Sequence, residues 1–304
     1  MMQREIIVLM STYNGERYIE EQIDSILNQD NCRVRILVRD DGSSDRTLEI
    51  LENYRRESKL EYFAGDNLGP AKSFLTLIKQ APVADFYAFA DQDDRWLPNK
   101  LYRATGLLSK YEDKPALYSS NMKRADQNMN LISEYALPHK VATDFESVMT
   151  VSGRLFGCTM VFNRNLANII KEHELPEKMV MHDLWLAMIA SLYNSLIYDD
   201  EPYIMYRTHS SSVTFSKNIP LLKKIRSMFF GSKDCFSKEC ENFCGYIGKE
   251  TIEELGHWEI CDVLVNYKKS LKKKLRLQFI MMRKSDMSLK LRIHHIVQIA
   301  FGKY

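Results

Sequence analysis

The sequence predicts an α/β protein, a mixed, mostly parallel sheet flanked by helices, continuing into a helical and basic C-terminal appendage. Three observations carry this. Short β-rich apolar runs alternate with helix-length segments through the first hundred residues, the order that builds parallel sheets covered on both faces. Polar clusters follow the predicted strands at their carboxyl ends, where open α/β sheets hold ligands. Charge is split along the chain. Leu264–Tyr304 carry eleven Lys and Arg against the single acid Asp286, a net of +10, whereas residues 1–263 carry −8.

Residues 4–10 form the first β-rich run, with Ile6 to Met10 continuous and apolar. Glu16 to Gln29 places Tyr18, Ile19, Ile23, Ile26 and Leu27 on one helix face. A second strand is expected at 33–38 and a helix from Asp45, striped by Leu48, Ile50, Leu51 and Tyr54. A short strand at 59–63, a helix over 70–80 and a strand at 85–90 complete the alternation. Further on, 153–162 read as a strand, 182–195 as a helix and 196–206 as one strand or two. From about Ile219 the chain turns helical and turn signals become rare. This places a boundary near residue 218, with an α/β domain over 1–218 and a helical region over 219–304.

The 304-residue chain is 45% hydrophobic and 27% charged, the profile of a soluble globular protein. Its longest apolar stretch, Leu184 to Tyr198, is broken by Ser191, Asn194 and Ser195, short of the roughly 18 uninterrupted apolar residues of a spanning helix. The run at Ile6–Met10 is too short for the core of a secretory signal, so a cytoplasmic protein is expected. The six cysteines form no Cys-x-x-Cys pair. Cys240 and Cys244 can share a helix face, but no second pair completes a zinc site, and free thiols are expected.

The strand at 85–90 discharges into Asp91-Gln92-Asp93-Asp94. Carboxylates so close raise one another's pKa values. Asp91 and Asp93 flank one residue, so in an extended turn both reach a single divalent ion. Mg2+ or Mn2+ takes such oxygen ligands together with substrate phosphates. The plainer reading is a solvated acidic turn in which Asp94 caps the helix beyond Pro98. The apolar strand before the acids and Trp96-Leu97-Pro98 after them favour the metal.

Asp40-Asp41-Gly42-Ser43-Ser44-Asp45 follows the second strand. A carboxylate there can accept the imide N–H of uracil or thymine, Gly42 allows a sharp turn, and Ser44 or Asp45 caps the next helix. After the first strand, Ser11 to Glu16 offers backbone N–H groups, the ring of Tyr13 for a base or ribose, and a turn at Asn14-Gly15. No Gly-x-Gly-x-x-Gly is present, which leaves a dinucleotide fold unsupported. Nor does the Asp-x-Asp of a phosphoaspartate-forming phosphatase follow the first strand.

Together these clusters resemble the family 2 glycosyltransferases. The resemblance is carried by Ser11-Thr12-Tyr13-Asn14-Gly15-Glu16-Arg17-Tyr18 with Ile26-Leu27-Asn28-Gln29, and by Asp40-Asp41-Gly42-Ser43-Ser44-Asp45-Arg46-Thr47. It continues through Asn67-Leu68-Gly69-Pro70-Ala71-Lys72-Ser73-Phe74, Phe89 to Leu101, and His182-Asp183-Leu184-Trp185, spanning roughly residues 4–215 in order. The variant Asp-Gln-Asp-Asp with His-Asp-x-Trp, followed by Tyr206-Arg207-Thr208-His209, is most similar to bacterial rhamnosyltransferases of polysaccharide assembly.

The resemblance implies the nucleotide-diphospho-sugar transferase (glycosyltransferase A) fold and inverting sugar transfer. It implies that Asp41 meets the nucleobase imide, with Thr12, Tyr13, Asn14 and Glu16 along the base and ribose and Gly69 and Lys72 in the donor site. It implies Asp91 at the ribose or the metal, and Asp93 holding Mg2+ or Mn2+ against the diphosphate, a Lewis acid for the leaving group. His209 is expected as a further metal or phosphate contact. Asp183 is the expected general base, with His182 and Trp185 facing the acceptor.

The donor favoured by the resemblance is dTDP-rhamnose, with a UDP-hexose as the near alternative, and the implied acceptor is a saccharide or lipid-linked oligosaccharide. The basic C-terminal region, interleaved with Leu275, Phe279, Ile280, Met281, Leu289, Ile293 and Ile296, suits an anionic membrane surface, placing the protein at the inner face of the cytoplasmic membrane. A solvated basic face on helices packed against the acidic body is the alternative. No nucleic-acid module frames the charges. From another functional class, a non-catalytic sugar- or nucleotide-binding accessory subunit competes, and intact Asp93 and Asp183 argue against it. A nucleotidyltransferase lacks its Gly-rich triphosphate loop here. The sequence fixes neither linkage position nor oligomeric state.

Overall fold

The computed structural model describes residues 4–137, 141–150, 155–174, 181–209, 235–284, 287 and 289–304, which fall into two compact units. The first holds the described residues up to 137, 155–174 and 181–209. The second holds 141–150 and the described residues from 235 onward. The boundary expected near residue 218 lies outside the described residues.

In the first unit, β1 (Glu5–Thr12), β2 (Arg33–Asp40), β3 (Glu61–Ala64) and β4 (Phe86–Ala90) run parallel in the spatial order β3-β2-β1-β4. The sheet continues with β5 (Arg95–Trp96), β6 (Leu117–Ala125), β7 (Leu131–Ser133), β8 (Val161–Asn163) and β9 (Leu196–Arg207). β8 lies antiparallel between β4 and β6, β9 runs parallel to β6, and β5 and β7 pair antiparallel with β9 and β6. The result is a mixed sheet of nine strands among the described residues. β1 is flanked by strands on both edges, and its Ile6–Met10 are all buried, which is why it reads as an unbroken apolar run rather than an alternating one. Each such side chain contributes about 1.5–3 kcal/mol by burial. Register sets Thr12 beside Asp40 and Met10 beside Ala90, so the ends of β1, β2 and β4 lie close together.

Helices α1 (Ile19–Leu27), α2 (Thr47–Arg56), α3 (Gly69–Gln80) and α4 (Lys100–Leu108) connect the strands. α1 buries Ile19, Ile23 and Ile26, the face its spacing predicts. α3 opens on Gly69, at φ +73°, and Pro70, whose missing N–H is no loss in a first turn. The short helix α5 (Phe145–Thr150) belongs to the second unit. In the first unit follow α6 (Arg164–Glu172), capped by Asn163 Oδ1 accepting from the Leu166 N–H, and α7 (His182–Leu192). α7 is buried from Trp185 through Leu192, as suits an interior helix that is apolar all round.

One expectation needs correction here, and one alternative is resolved. The strand expected over 153–162 is, in its described part, a 3-10 turn at Gly157–Thr159 followed by three residues of β8. The Met160 N–H turns back to the Gly157 carbonyl, and Asn163 is taken up in capping α6. The stretch 196–206 is one strand, whose register against β6 slips around Ser120, Asn121 and Pro202.

The second unit is helical: α5, α8 (Cys235–Ile247), α9 (Lys249–Glu254), α10 (Trp258–Asn266), α11 (Leu271–Arg283) and α12 (Leu289–Ala300). Residues 141–150, read from sequence as part of the first domain, are tied into this unit. The Tyr304 hydroxyl donates to the Thr150 carbonyl, and Lys284 Nζ lies 2.7 Å from Ser147 Oγ and 3.0 Å from Glu146. Tyr304 is buried, with its ring stacked on Phe236 at 4.7 Å. Among the described residues no helix is long and apolar enough to cross a membrane.

Candidate active site

The loops after β1 and β2 are stitched together by their own side chains. The Asn14 N–H donates to Ser43 Oγ at 2.8 Å, and Asn14 Oδ1 accepts from the Ser44 N–H at 2.8 Å. The Glu16 carboxylate accepts from the Arg46 N–H, while the Glu16 N–H reaches Asp45 and the Gly15 N–H reaches Thr47. Asp45 also accepts from the Thr47 N–H in the turn that leads into α2, but the N-cap of that helix is Arg46 with no side-chain cap bond, so the cap expected from Ser44 or Asp45 is not formed. Asn14 and Glu16, singled out for the donor, therefore spend polar groups in joining two loops. Tyr13 remains 49% exposed, with its ring free to take a planar ligand.

Asp40 and Asp41 point into the protein. Asp40 accepts from the Gly42 and Ser43 N–H groups and from Ser43 Oγ. Asp41 is buried: one oxygen accepts from the Leu68 and Gly69 N–H groups at 3.0 and 2.8 Å, and the other lies against the Arg39 guanidinium. Gly69 thus meets Asp41 through its backbone. Lys72, in the first turn of α3, is exposed.

Gln92 fastens the acidic turn to the first loop. Its Oε1 accepts from Thr12 Oγ1 at 2.5 Å and from the Tyr13 N–H at 2.9 Å, and its Nε2 donates to the Tyr13 carbonyl at 3.1 Å. A Cβ on Gly15 would stand 2.4 Å from Gln92 Oε1, so only glycine leaves room for this clamp. Beside it, His209 Nε2 lies 2.7 Å from Asp93 Oδ2, bringing together two residues 116 positions apart that were both expected at the metal.

Asp91, Asp94 and Cys158 each present an atom within 4.8 Å of the others. Burial, with the neighbouring Asp93 and Asp183, pushes the Asp91 carboxyl up to about 7, against a hydrogen bond from Cys158. Asp94 is fully buried and pushed well above the carboxylate range by burial and then by Asp93 and Asp91. It does not cap the helix after Pro98; its Oδ1 accepts from the Arg207 N–H and its Oδ2 has no hydrogen-bond partner. Lys100 is buried below, its Nζ 3.7 Å from the Trp96 ring centroid, pushed down to about 7 by burial despite Cys158 and Asp94 nearby.

Asp183 stands in the first turn of α7, accepting from the Leu184 N–H at 2.7 Å. Burial raises its carboxyl to about 6, with backbone hydrogen bonds from Leu184 and Gly157 opposing. Its charge acts on Asp91, so the expected base and the acidic turn share one neighbourhood.

His182 and Trp185, expected at the acceptor, are in the core instead. His182 is 3% exposed, stacked on Phe74 at 4.2 Å and edge-on to Phe89 at 4.9 Å. Burial holds it uncharged, its pKa down to about 3. Trp185 has no exposed surface. The cause is the helix itself: at 3.6 residues per turn, the neighbours of Asp183 in sequence face away from it.

Sequence reasoning missed the residues that hold the corner. Arg207, 3% exposed in its side chain, donates to the Asp93 carbonyl at 2.7 Å and to the Gln127 carbonyl at 2.7 Å, pairs with Glu21, and lies 4.3 Å over the Tyr18 ring. It was legible only as part of Tyr-Arg-Thr-His. Cys158 carried no signal at all. Two sets of donors therefore stand at this corner: Asp93 with His209 at 2.7 Å, and Asp91, which converges within 4.8 Å on Asp94 and the Cys158 thiol. Carboxylate oxygens and an imidazole nitrogen are donor types that divalent cations take.

The mixed sheet flanked by helices is that of the glycosyltransferase A fold. More particularly, the chain belongs to glycosyl transferase family 2, whose model matches residues 7–168. It is 29% identical over 244 residues to the dTDP-rhamnosyl transferase RfbG of Shigella flexneri, covering 73% of this chain and 80% of that one. Among solved structures, Staphylococcus aureus TarS 1–349 in complex with UDP-GlcNAc shares the fold at TM-score 0.55 and 20% identity, over 91% of this chain and 79% of that one. The mannosyltransferase PcManGT of Pyrobaculum calidifontis, in complex with GDP-Man and Mn2+, aligns at TM-score 0.52 and 18% identity, over 99% and 81%.

Proposed function

We propose that this glycosyltransferase is inverting and metal-dependent, and that it moves rhamnose from dTDP-rhamnose to a saccharide acceptor, carried on a lipid, in cell-surface polysaccharide assembly. The observation that carries the transfer chemistry is Asp183, tuned to about 6, beside the acidic corner that holds Asp91, Asp93 and His209. Asp183 takes the proton of an acceptor hydroxyl as that oxygen bonds to the anomeric carbon, and the bond from that carbon to the diphosphate oxygen breaks. A base near neutral pKa suits this work. Asp91, Asp93 and His209 would hold Mg2+ or Mn2+, which supplies charge neutralisation for the departing nucleoside diphosphate. Tyr13 stacks on the base, and Thr12, Gly69 and Lys72 line the donor. Asp41, held between Arg39 and the Leu68 and Gly69 N–H groups, braces the floor of this site from within the protein.

Likeness to RfbG over 73% of the chain supports rhamnose and thymine. A UDP-hexose is the second reading, favoured by the fold shared with the UDP-GlcNAc complex. A panel of dTDP-, UDP- and GDP-sugars with Mn2+, read by thermal shift and by nucleoside-diphosphate release, separates them. dTDP-rhamnose is expected to give the largest shift and the only release. Stabilisation by a donor without hydrolysis or transfer to any acceptor would instead mark a non-catalytic binding subunit.

A lipid-borne acceptor accords with the exposed face of the second unit, which we assign to an anionic membrane surface. On α11, Leu271, Leu275, Phe279 and Met282 are all more than half exposed at one-turn spacing, and Leu289, Ile293 and Phe301 are at least half exposed on and just beyond α12. Lys272, Lys274, Arg283 and Lys290 flank them. Each basic residue near such a surface adds about 1 kcal/mol. The protein should float with vesicles containing anionic lipid and not with neutral ones, and Leu275→Glu/Phe279→Glu should remain in solution. Equal flotation of the variant would overturn this assignment.

A further inference from the structure

The second unit brings together three thiols that the sequence leaves apart. Cys240 and Cys244 lie one turn apart on α8, and Cys261 is carried on α10, which packs against it. The sulfurs of Cys240 and Cys244 are 4.0 Å apart, and all three lie within 4.8 Å of one another. Cys240 and Cys261 are fully buried, and Cys244 is partly open to solvent. Spacing in the sequence gave no hint of Cys261, because its partners are set by helix packing and not by a Cys-x-x-Cys loop.

The distances are those of a metal-binding triangle. In a tetrahedral site, thiolates about 2.3 Å from zinc stand about 1.63 times that length, or about 3.8 Å, from one another, close to the 4.0 Å between the Cys240 and Cys244 sulfurs. At the outer limit of 4.8 Å an inward shift of about 0.6 Å per sulfur brings the triangle to that spacing. A rotamer adjustment supplies that. Cys240 Sγ also lies 3.8 Å from the Cys261 carbonyl oxygen, a weak thiol hydrogen bond that holds this sulfur at the seam between the two helices. Thiolates select soft or borderline cations over the hard ones that suit carboxylates.

We propose that Cys240, Cys244 and Cys261 form a site for a thiophilic cation such as Zn2+, with the fourth position open to solvent on the Cys244 side. The site lies in the helical unit, is chemically distinct from the carboxylate corner, and does not depend on which sugar the enzyme transfers. By fastening α8 to α10 it would stiffen the helical unit.

The test uses the full chain, reduced with a non-thiol reductant and titrated with Cd2+ as the probe. Thiolate-to-metal charge-transfer absorption in the ultraviolet and bound metal per chain are read together. About one equivalent of Cd2+ is expected to bind with that absorption. Excess Mg2+, which competes only for carboxylates, should leave it in place. Cys244→Ser should weaken binding at least tenfold, and Cys158→Ser and Cys32→Ser should not. Because Cys244 is partly exposed, its serine variant keeps the test sound even where Cys261→Ser fails to fold. Zn2+ should raise the melting temperature of the parent and not of Cys244→Ser. Absence of the absorption, its persistence in Cys244→Ser, or a Cys240–Cys244 disulfide forming in place of metal uptake would each overturn the proposal.

Discussion

Replacing Asp183 by Asn separates a base from a structural cap. Asn keeps the shape and the acceptor oxygen that the Leu184 N–H uses at 2.7 Å, so the first turn of α7 should survive. Loss of a positioned general base costs about 10²- to 10⁴-fold in kcat, or about 2.7–5.4 kcal/mol of transition-state stabilisation. Stability should move the other way. Burial lifts the Asp183 carboxyl from 3.8 to about 6, so the folded state holds its proton to higher pH than the unfolded chain. Native stability therefore falls as pH rises from about 4 to about 6, and above that the ionised carboxylate costs at most about 3 kcal/mol. Asn removes that penalty. Asp183→Asn is thus expected to lose at least a hundredfold in kcat, bind donor normally, and melt at pH 7.5 no lower than the parent. In the parent, kcat should be half-maximal near pH 6 and about a tenth of its plateau at pH 5, measured by nucleoside-diphosphate release at saturating donor and Mn2+. Turnover within tenfold of the parent, or a flat profile between pH 5 and 7, would refute the assignment of Asp183.

Mn2+ should raise the melting temperature more at pH 8 than at pH 5, because a cation competes with the proton that burial keeps on Asp91 up to about pH 7; an equal shift at both would remove Asp91 from the metal site. Arg207→Met strips the acidic turn of its buried anchor and should lower stability by about 2–4 kcal/mol in urea unfolding while weakening Mn2+ binding. Gly15→Ala drives a methyl against Gln92 and Thr12, so the donor KM should rise at least tenfold with the global melting temperature little changed. Trp185→Phe should cost stability without changing the acceptor KM, since the indole is wholly buried.

Much of the first unit was legible because its strands are local and apolar. Ile6–Met10 and Phe86–Ala90 announce themselves as buried strands, and the acids after them mark the ligand end of the sheet. The contacts that complete the site are long-range and leave no local pattern. His209 meets Asp93 across 116 residues and was found only through a resemblance, while the Arg207 anchor and the Cys158 thiol follow from how β9 and the turn before β8 pack. His182 and Trp185 misled because adjacency to Asp183 in the chain is not adjacency around a helix. Residues 141–150 misled because membership of a unit depends on partners such as Tyr304, more than 150 positions away.

The double grip of Gln92 on Thr12 and Tyr13 has an evolutionary consequence. On the proposed reading, in which the first loop meets the nucleobase, a change that re-shapes that loop for a different base is transmitted through one amide to the carboxylates on either side of Gln92. Donor preference and turnover are then coupled through position 92. Efforts to retool it for another nucleotide will have to adjust position 92 in step with the loop, or forfeit rate for every gain in selectivity.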